Sequence, residues 1–203
     1  MPNPRTRRST QTSFTRPAPA AVTYDLSVPD QATITVPAGS TWTSGPHWHE
    51  AHTEFLQVLA GRARVMLGGR TFVVSRGDGE SVVTVPRGVV HEWRRDDREG
   101  GDGEDLVVME WTDPKDGAKE VFFRNLNGIV LDATTAVEKS GSWSGKLLEI
   151  ELWNLFWRAD NYPVVLNAGW FGRVVTKVLM GAAVTLGWIL GRPGVYEEYE
   201  LKR

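Results

Sequence analysis

Residues 24–112 are cut into short β-rich runs by turns that carry glycine or proline, and this limits the fold more than any other feature of the chain. Gln31–Val36 alternates Ala32, Ile34 and Val36 with polar partners and stops at Pro37-Ala38-Gly39, the period of a strand with one buried face. Residues 54–59 and 63–67 flank Ala60-Gly61-Arg62, a tight turn where glycine supplies positive φ. Gly68-Gly69 reverses the chain into 70–74, and 82–85, 89–93 and 106–112 complete the set. Short strands spaced in this way predict a mainly β fold, an antiparallel double-sheet jelly roll. The charged, glycine-rich run 94–105 between two strands reads as a solvated hairpin tip rather than a flap.

The chemistry-bearing residues sit on this framework. His47 and His49 are two apart, so on a strand they share a face. Glu54 has the wrong parity to continue that face, so 50–53 must turn or bulge to re-aim it. The chain has four histidines, and His91 is the third candidate ligand. Neutral imidazoles and a carboxylate converging on one point suit a divalent transition metal. His52, in the re-aiming loop, is expected to face solvent.

The spacing of His47, His49, Glu54 and Gly61 resembles the first motif of the cupin superfamily, HxH, four residues, E, six residues, G. Pro86, Gly88 and His91 in PRGVVH resemble the second. Thr41 stands where that family usually has a glycine, Gly79 lies one residue too far from PRG, which suggests a bulge, and Arg95 replaces a customary polar residue. None of these is a ligand position. The resemblance covers about residues 30–112. It implies a single-domain, metal-binding cupin, a double-stranded β-helix barrel with C-terminal helices, in which His47, His49, Glu54 and His91 are the metal ligands.

Outside the barrel, residues 1–20 carry Arg5, Arg7, Arg8 and Arg16 with no acid before Asp25 and no apolar run. They read as a disordered basic tail and not as a secretory signal. The barrel is expected over 21–115 and a helical extension over 116–203. In the latter, 118–125 reads as a helix or lid, 139–145 as a linker and 146–158 as a helix apolar nearly all round. Residues 170–190 carry only Arg173 and Lys177 as charges and reach the roughly 20 residues of a bilayer span. Burial against the barrel or a partner subunit is the first expectation for this run. Membrane association is the alternative, kept by Trp170 and Trp188 at its ends. The chain has no cysteine, which removes disulfides and thiolate chemistry. A formal net charge of −2 gives no general attraction to nucleic acid.

Three imidazoles and one carboxylate leave two positions open on an octahedral ion, a catalytic rather than a closed structural arrangement. Iron(II) is the first expectation for the ion, with zinc, manganese and nickel compatible. Leu56 and Val58 share Glu54's face and Trp93 shares His91's, so an apolar, aromatic substrate pocket is expected. The reading is a metal-dependent enzyme of dioxygenase type acting on an apolar or aromatic small molecule, as in secondary metabolism. The alternatives are an isomerase, dehydratase or cyclase with Glu54 as catalytic base, and a non-catalytic binding cupin. A cytoplasmic homo-oligomer, a homodimer in the simplest case, is expected.

Overall fold

The computed structural model describes residues 5–77, 82–97, 103–137 and 143–201. The chain divides into two compact units, one of residues 12–120 and one of residues 1–11 with 121–203.

The described residues of the first unit form ten strands: β1 Ser13–Arg16, β2 Val22–Asp25, β3 Gln31–Val36, β4 His47–Trp48, β5 Thr53–Ala60, β6 Arg62–Leu67, β7 Arg70–Ser75, β8 Val82–Val85, β9 His91–Arg95 and β10 Leu106–Asp113. One sheet has the order β1-β2-β3-β10-β5-β8, and the other contains β4, β9, β6 and β7 in that order. All these pairings are antiparallel. The predicted jelly roll is therefore what forms, and the alternation explains why. Buried positions recur at every second residue of β3, β5 and β10, so Ile34, Leu56 and Val108 enter the core with Tyr24, Val65 and Trp93. Each fully buried side chain of this size contributes about 1.5–3 kcal/mol. Gly61 turns β5 into β6 at φ +71, and a Cβ there would stand 2.5 Å from the carbonyl oxygen of Asp105, so both backbone and space demand glycine.

In the second unit, α1 (Ala118–Val137, whose first three residues belong to the barrel unit), α2 (Trp143–Arg158) and α3 (Gly169–Ile189) are helices. Ile129, Leu155 and Tyr199 form its core, with Phe122 and Leu152 packed on them. Asn154 on α2 donates to the Ala183 carbonyl at 2.9 Å, a close approach that Gly187 permits, since a Cβ there would meet the Asn154 amide at 2.3 Å. One face of α3 is thereby buried, at Gly172, Thr176, Met180 and Gly187. The remaining positions are half-buried or exposed, Trp170 and Trp188 among the exposed ones, so within this chain α3 is covered on one face only.

Several boundaries differ from expectation. The basic segment 1–20 is not a plain tail. Ser13–Arg16 pairs with β2, Arg8 bonds Asp132 at 2.7 Å and Arg5 pairs with Glu151. Those acids lie more than a hundred residues away in sequence, which local composition cannot register. The barrel unit accordingly begins before residue 21 and ends after residue 115. Trp143 and Gly145, placed in a linker, belong to α2, while residues 139–142 lie outside the described residues. Residues 98–102 of the predicted hairpin tip and the bulge at Gly79 also lie outside them. Asp96, at the start of that tip, is buried and accepts from Arg64 Nε at 3.0 Å.

Candidate metal centre

The two sheets bring the candidate ligands together from opposite sides. β4 and β9 pair with His47 opposite His91, His49 follows β4 directly, and Glu54 points inward from β5 in the other sheet. The segment 49–52 separates the two strands, which supplies the parity change Glu54 needs. One ligand atom from each of His47, His49, Glu54 and His91 lies within 4.8 Å of all the others. For bonds of about 2.0–2.2 Å to a shared ion, trans ligand atoms stand about 4–4.4 Å apart, so the cluster is close to ion-binding dimensions. All four residues are buried, and the His47 and His91 ring centroids are 4.1 Å apart.

The hydrogen bonds orient the imidazoles for coordination. His47 Nδ1 donates to the Gly45 carbonyl at 2.7 Å, and His91 Nδ1 donates to the Val89 carbonyl at 3.1 Å. Each leaves Nε2 to face the centre, the outer-sphere arrangement that fixes the tautomer of a metal-binding histidine. His91 Nε2 is also 3.1 Å from Glu54 Oε1, and His49 Nε2 is 3.2 Å from Glu54 Oε2. A neutral His91 has one N–H to offer two oxygens, so a second cation, a proton or a metal ion, belongs between Nε2 and the carboxylate. The donor set therefore fits a divalent ion.

The electrostatics agree. Burial, with the neighbouring His91 and His49, holds the His47 imidazole well below its usual pKa, in the neutral form that coordinates. His91 is displaced upward, because its hydrogen bond and charge attraction to Glu54 outweigh the opposing effect of burial. Burial would raise the Glu54 carboxyl, yet it is held well below the usual range by Lys119 first and then by hydrogen bonds from His49 and His91.

Lys119 is the residue that sequence reasoning missed. From the first turn of α1 its Nζ donates to Glu54 Oε2 at 2.7 Å and also to Glu110 Oε1. Glu110 lies diagonally across from Glu54, since β10 pairs Thr112 with Glu54 and Glu110 with Leu56. Burial and the Glu54 charge raise the Glu110 carboxyl against the pull of Lys119. Burial lowers the Lys119 ammonium, but the two carboxylates raise it further. Glu110 was legible, as an acid on the inward parity of Leu106, Val108 and Thr112. Lys119 was not, because it sits in the first turn of a helix, where strand parity gives it no direction. Leu56, Val58 and Trp93 are buried in the barrel unit, and Trp93 lies 4.8 Å from Trp42, ring to ring. The interior beside the centre is thus not wholly apolar: Glu110 and Lys119 share it. His52 is buried rather than solvent-facing and lies 3.1 Å from Asp116 Oδ2. The ordered turn ahead of α1, invisible to local pattern, covers it.

Residues 32–101 match the family model for a cupin domain. No curated protein matches the sequence. Among solved structures, similarity is found to the capsular polysaccharide assembling protein CapF from Staphylococcus aureus (24% identity, 51% of this chain and 32% of that one, TM-score 0.38). A protein described as a predicted oxalate decarboxylase from Thermotoga maritima is similar at 19% identity, over 52% of this chain and 96% of the other, with TM-score 0.40. An RmlC-like cupin from Shewanella frigidimarina is similar at 17% identity, over 52% and 87%, with TM-score 0.39. The chain spans less than a third of the Staphylococcus protein's length. None of these likenesses carries an activity over to this chain.

Proposed function

The barrel of this chain is a cupin domain, and from that premise we propose that the protein is a metal-dependent enzyme acting on an apolar or aromatic small molecule. The supporting observation is the convergence of four buried ligand atoms, three imidazole nitrogens and one carboxylate oxygen, within 4.8 Å. His47, His49, His91 and Glu54 hold one divalent ion, iron(II) in the first instance, with zinc, manganese or nickel chemically admissible. When bound, such an ion supplies Lewis acidity and open coordination positions for the vicinal oxygens of an enol, phenol or keto acid. Leu56, Val58 and Trp93 exclude water from that side of the barrel and favour an apolar substrate body.

Oxygenase-type chemistry is the first reading. Isomerisation, dehydration or cyclisation is the second, and one observation favours it: the Lys119 ammonium bridges Glu54 to Glu110, whose carboxyl is displaced upward by burial and the Glu54 charge, so a proton leaving the substrate has Glu110 as a group able to hold it. Metal analysis of untagged protein, together with oxygen uptake across a panel of phenols and enols, tests the proposal. The expected result is about one ion per chain, lost in His49→Ala and in His91→Ala while the fold remains. Full metal occupancy in either variant refutes the ligand set. Turnover without oxygen consumption selects the second reading, and metal-dependent binding with no turnover leaves a non-catalytic binding protein.

A further inference from the structure

We propose that α3 seats the protein on a lipid bilayer that contains anionic lipid, with the helix lying in the interface and its outward face in the acyl region. This inference is independent of the metal reading. Along α3 the buried positions Gly172, Thr176, Met180 and Gly187 recur at helical spacing. Gly187 meets Asn154 of α2, Thr176 donates to the Pro163 carbonyl at 3.2 Å and Gly172 lies against the Leu166 carbonyl, which leaves the opposite side outward. That side carries Phe171, Val174, Val178 and Ile189, which are 52%, 47%, 65% and 65% exposed. These four fall within one arc of a 3.6-residue helix, and no charged residue shares that arc. Trp170 and Trp188 stand about five turns apart, hence on the same line of the helix, and they are 77% and 82% exposed. Arg173 and Lys177 lie one turn apart on the flank beside that tryptophan line. Apolar face, tryptophan line and cationic flank thus follow one another around the helix, the order an interfacial helix presents to acyl chains, carbonyl region and headgroup phosphates.

Charge favours a bilayer over pairing of α3 with a second α3. No Asp or Glu occurs between Asp160 and Glu197, so a second α3 offers Arg173 and Lys177 no carboxylate, whereas anionic lipid offers phosphates. α3 is the helix, among those described, that is long and apolar enough to cross a membrane. However, the α2 residues Glu149, Glu151 and Arg158, on the helix that packs against it, favour an in-plane rather than a crossing position.

The test is flotation of the full chain with vesicles of phosphatidylcholine alone and of phosphatidylcholine with phosphatidylglycerol, at low and high salt. The expected result is binding to the anionic vesicles that weakens with salt. Val174→Asp with Val178→Asp should lower it at least about tenfold, since both positions are exposed and the charge must enter the acyl region. Arg173→Glu with Lys177→Glu should lower it at least about twentyfold, at roughly fivefold for each cation lost. Brominated acyl chains should quench tryptophan emission, and Trp170→Phe with Trp188→Phe should remove most of that quenching. No binding to anionic vesicles at low salt overturns the proposal. So does binding that both double substitutions leave unchanged. A lipid-free dimer that Val174→Asp with Val178→Asp dissociates also overturns it, and makes a second copy the occupant.

Discussion

Replacing Lys119 with Met tests the reading of the centre at the residue that the structure alone revealed. The Lys119 side chain is 7% exposed and its carboxylate partners Glu54 and Glu110 are 2% and 7% exposed, so solvent does little to screen the pairs. Met has nearly the same length and volume, which keeps the cavity term small and makes the loss electrostatic. Breaking a buried pair by removing one partner costs about 3–5 kcal/mol. Here Glu110, already displaced upward by burial and the Glu54 charge, takes up a proton once the ammonium is gone, which places the cost near the lower end, about 3 kcal/mol. For a barrel of this size that is roughly 10–20 °C in melting temperature. Glu110→Gln combined with Lys119→Met removes the surplus charge, so it should be less destabilised than the sum of the single variants by at least about 1.5 kcal/mol. Thermal and guanidinium unfolding of the four proteins of this cycle measures both quantities. A Lys119→Met protein within about 0.5 kcal/mol of the parent, or strictly additive variants, would show that the ammonium does not hold the two carboxylates.

Glu54→Gln keeps the size and one coordinating oxygen but loses charge and base. Metal occupancy should fall in part, while turnover of whichever substrate is found should drop by ~10²–10⁴, and a rate loss that only tracks metal content removes the base role. Ion affinity should fall as pH drops through the histidine range. His91 must shed its Nε2 proton to coordinate, and its pKa is raised by Glu54 against the effect of burial, so the loss begins above the usual 6.5. His47, held well below that value by burial and its histidine neighbours, stays neutral and adds nothing to the decline. Chelator competition from about pH 5 to 8 reads this directly, and a flat profile counts against it. Gly61→Ala forces a Cβ to 2.5 Å from the Asp105 carbonyl at φ +71. It should cost at least about 2 kcal/mol in chemical unfolding, and an unchanged midpoint would discredit the β5–β6 turn.

Alternation by itself determined the barrel. Gln31–Val36 and Val82–Val85 form β3 and β8 at the residues the pattern picked out, because one face of each must be buried and period two admits few other solutions. Strand parity put His47 and His49 on one face, while Glu54 and His91 were added by the spacing that resembles the two cupin motifs. Contacts between distant segments leave no such trace. Lys119 reaches Glu54 across 65 residues of sequence, Arg8 reaches Asp132 across 124, and His52 meets Asp116 across 64. The Lys119 ammonium, which reads locally as solvated, becomes a buried partner only when another segment arrives with the opposite charge. Arg8 is half-buried in the same way, and His52 is buried beside a turn that its own neighbourhood does not encode. For α3 the sequence determined the apolar length, but which side would be covered depended on Asn154 meeting the backbone at Ala183 and Gly187. Only the packed structure could decide that, because apolarity all round a helix does not say which face a neighbour will take.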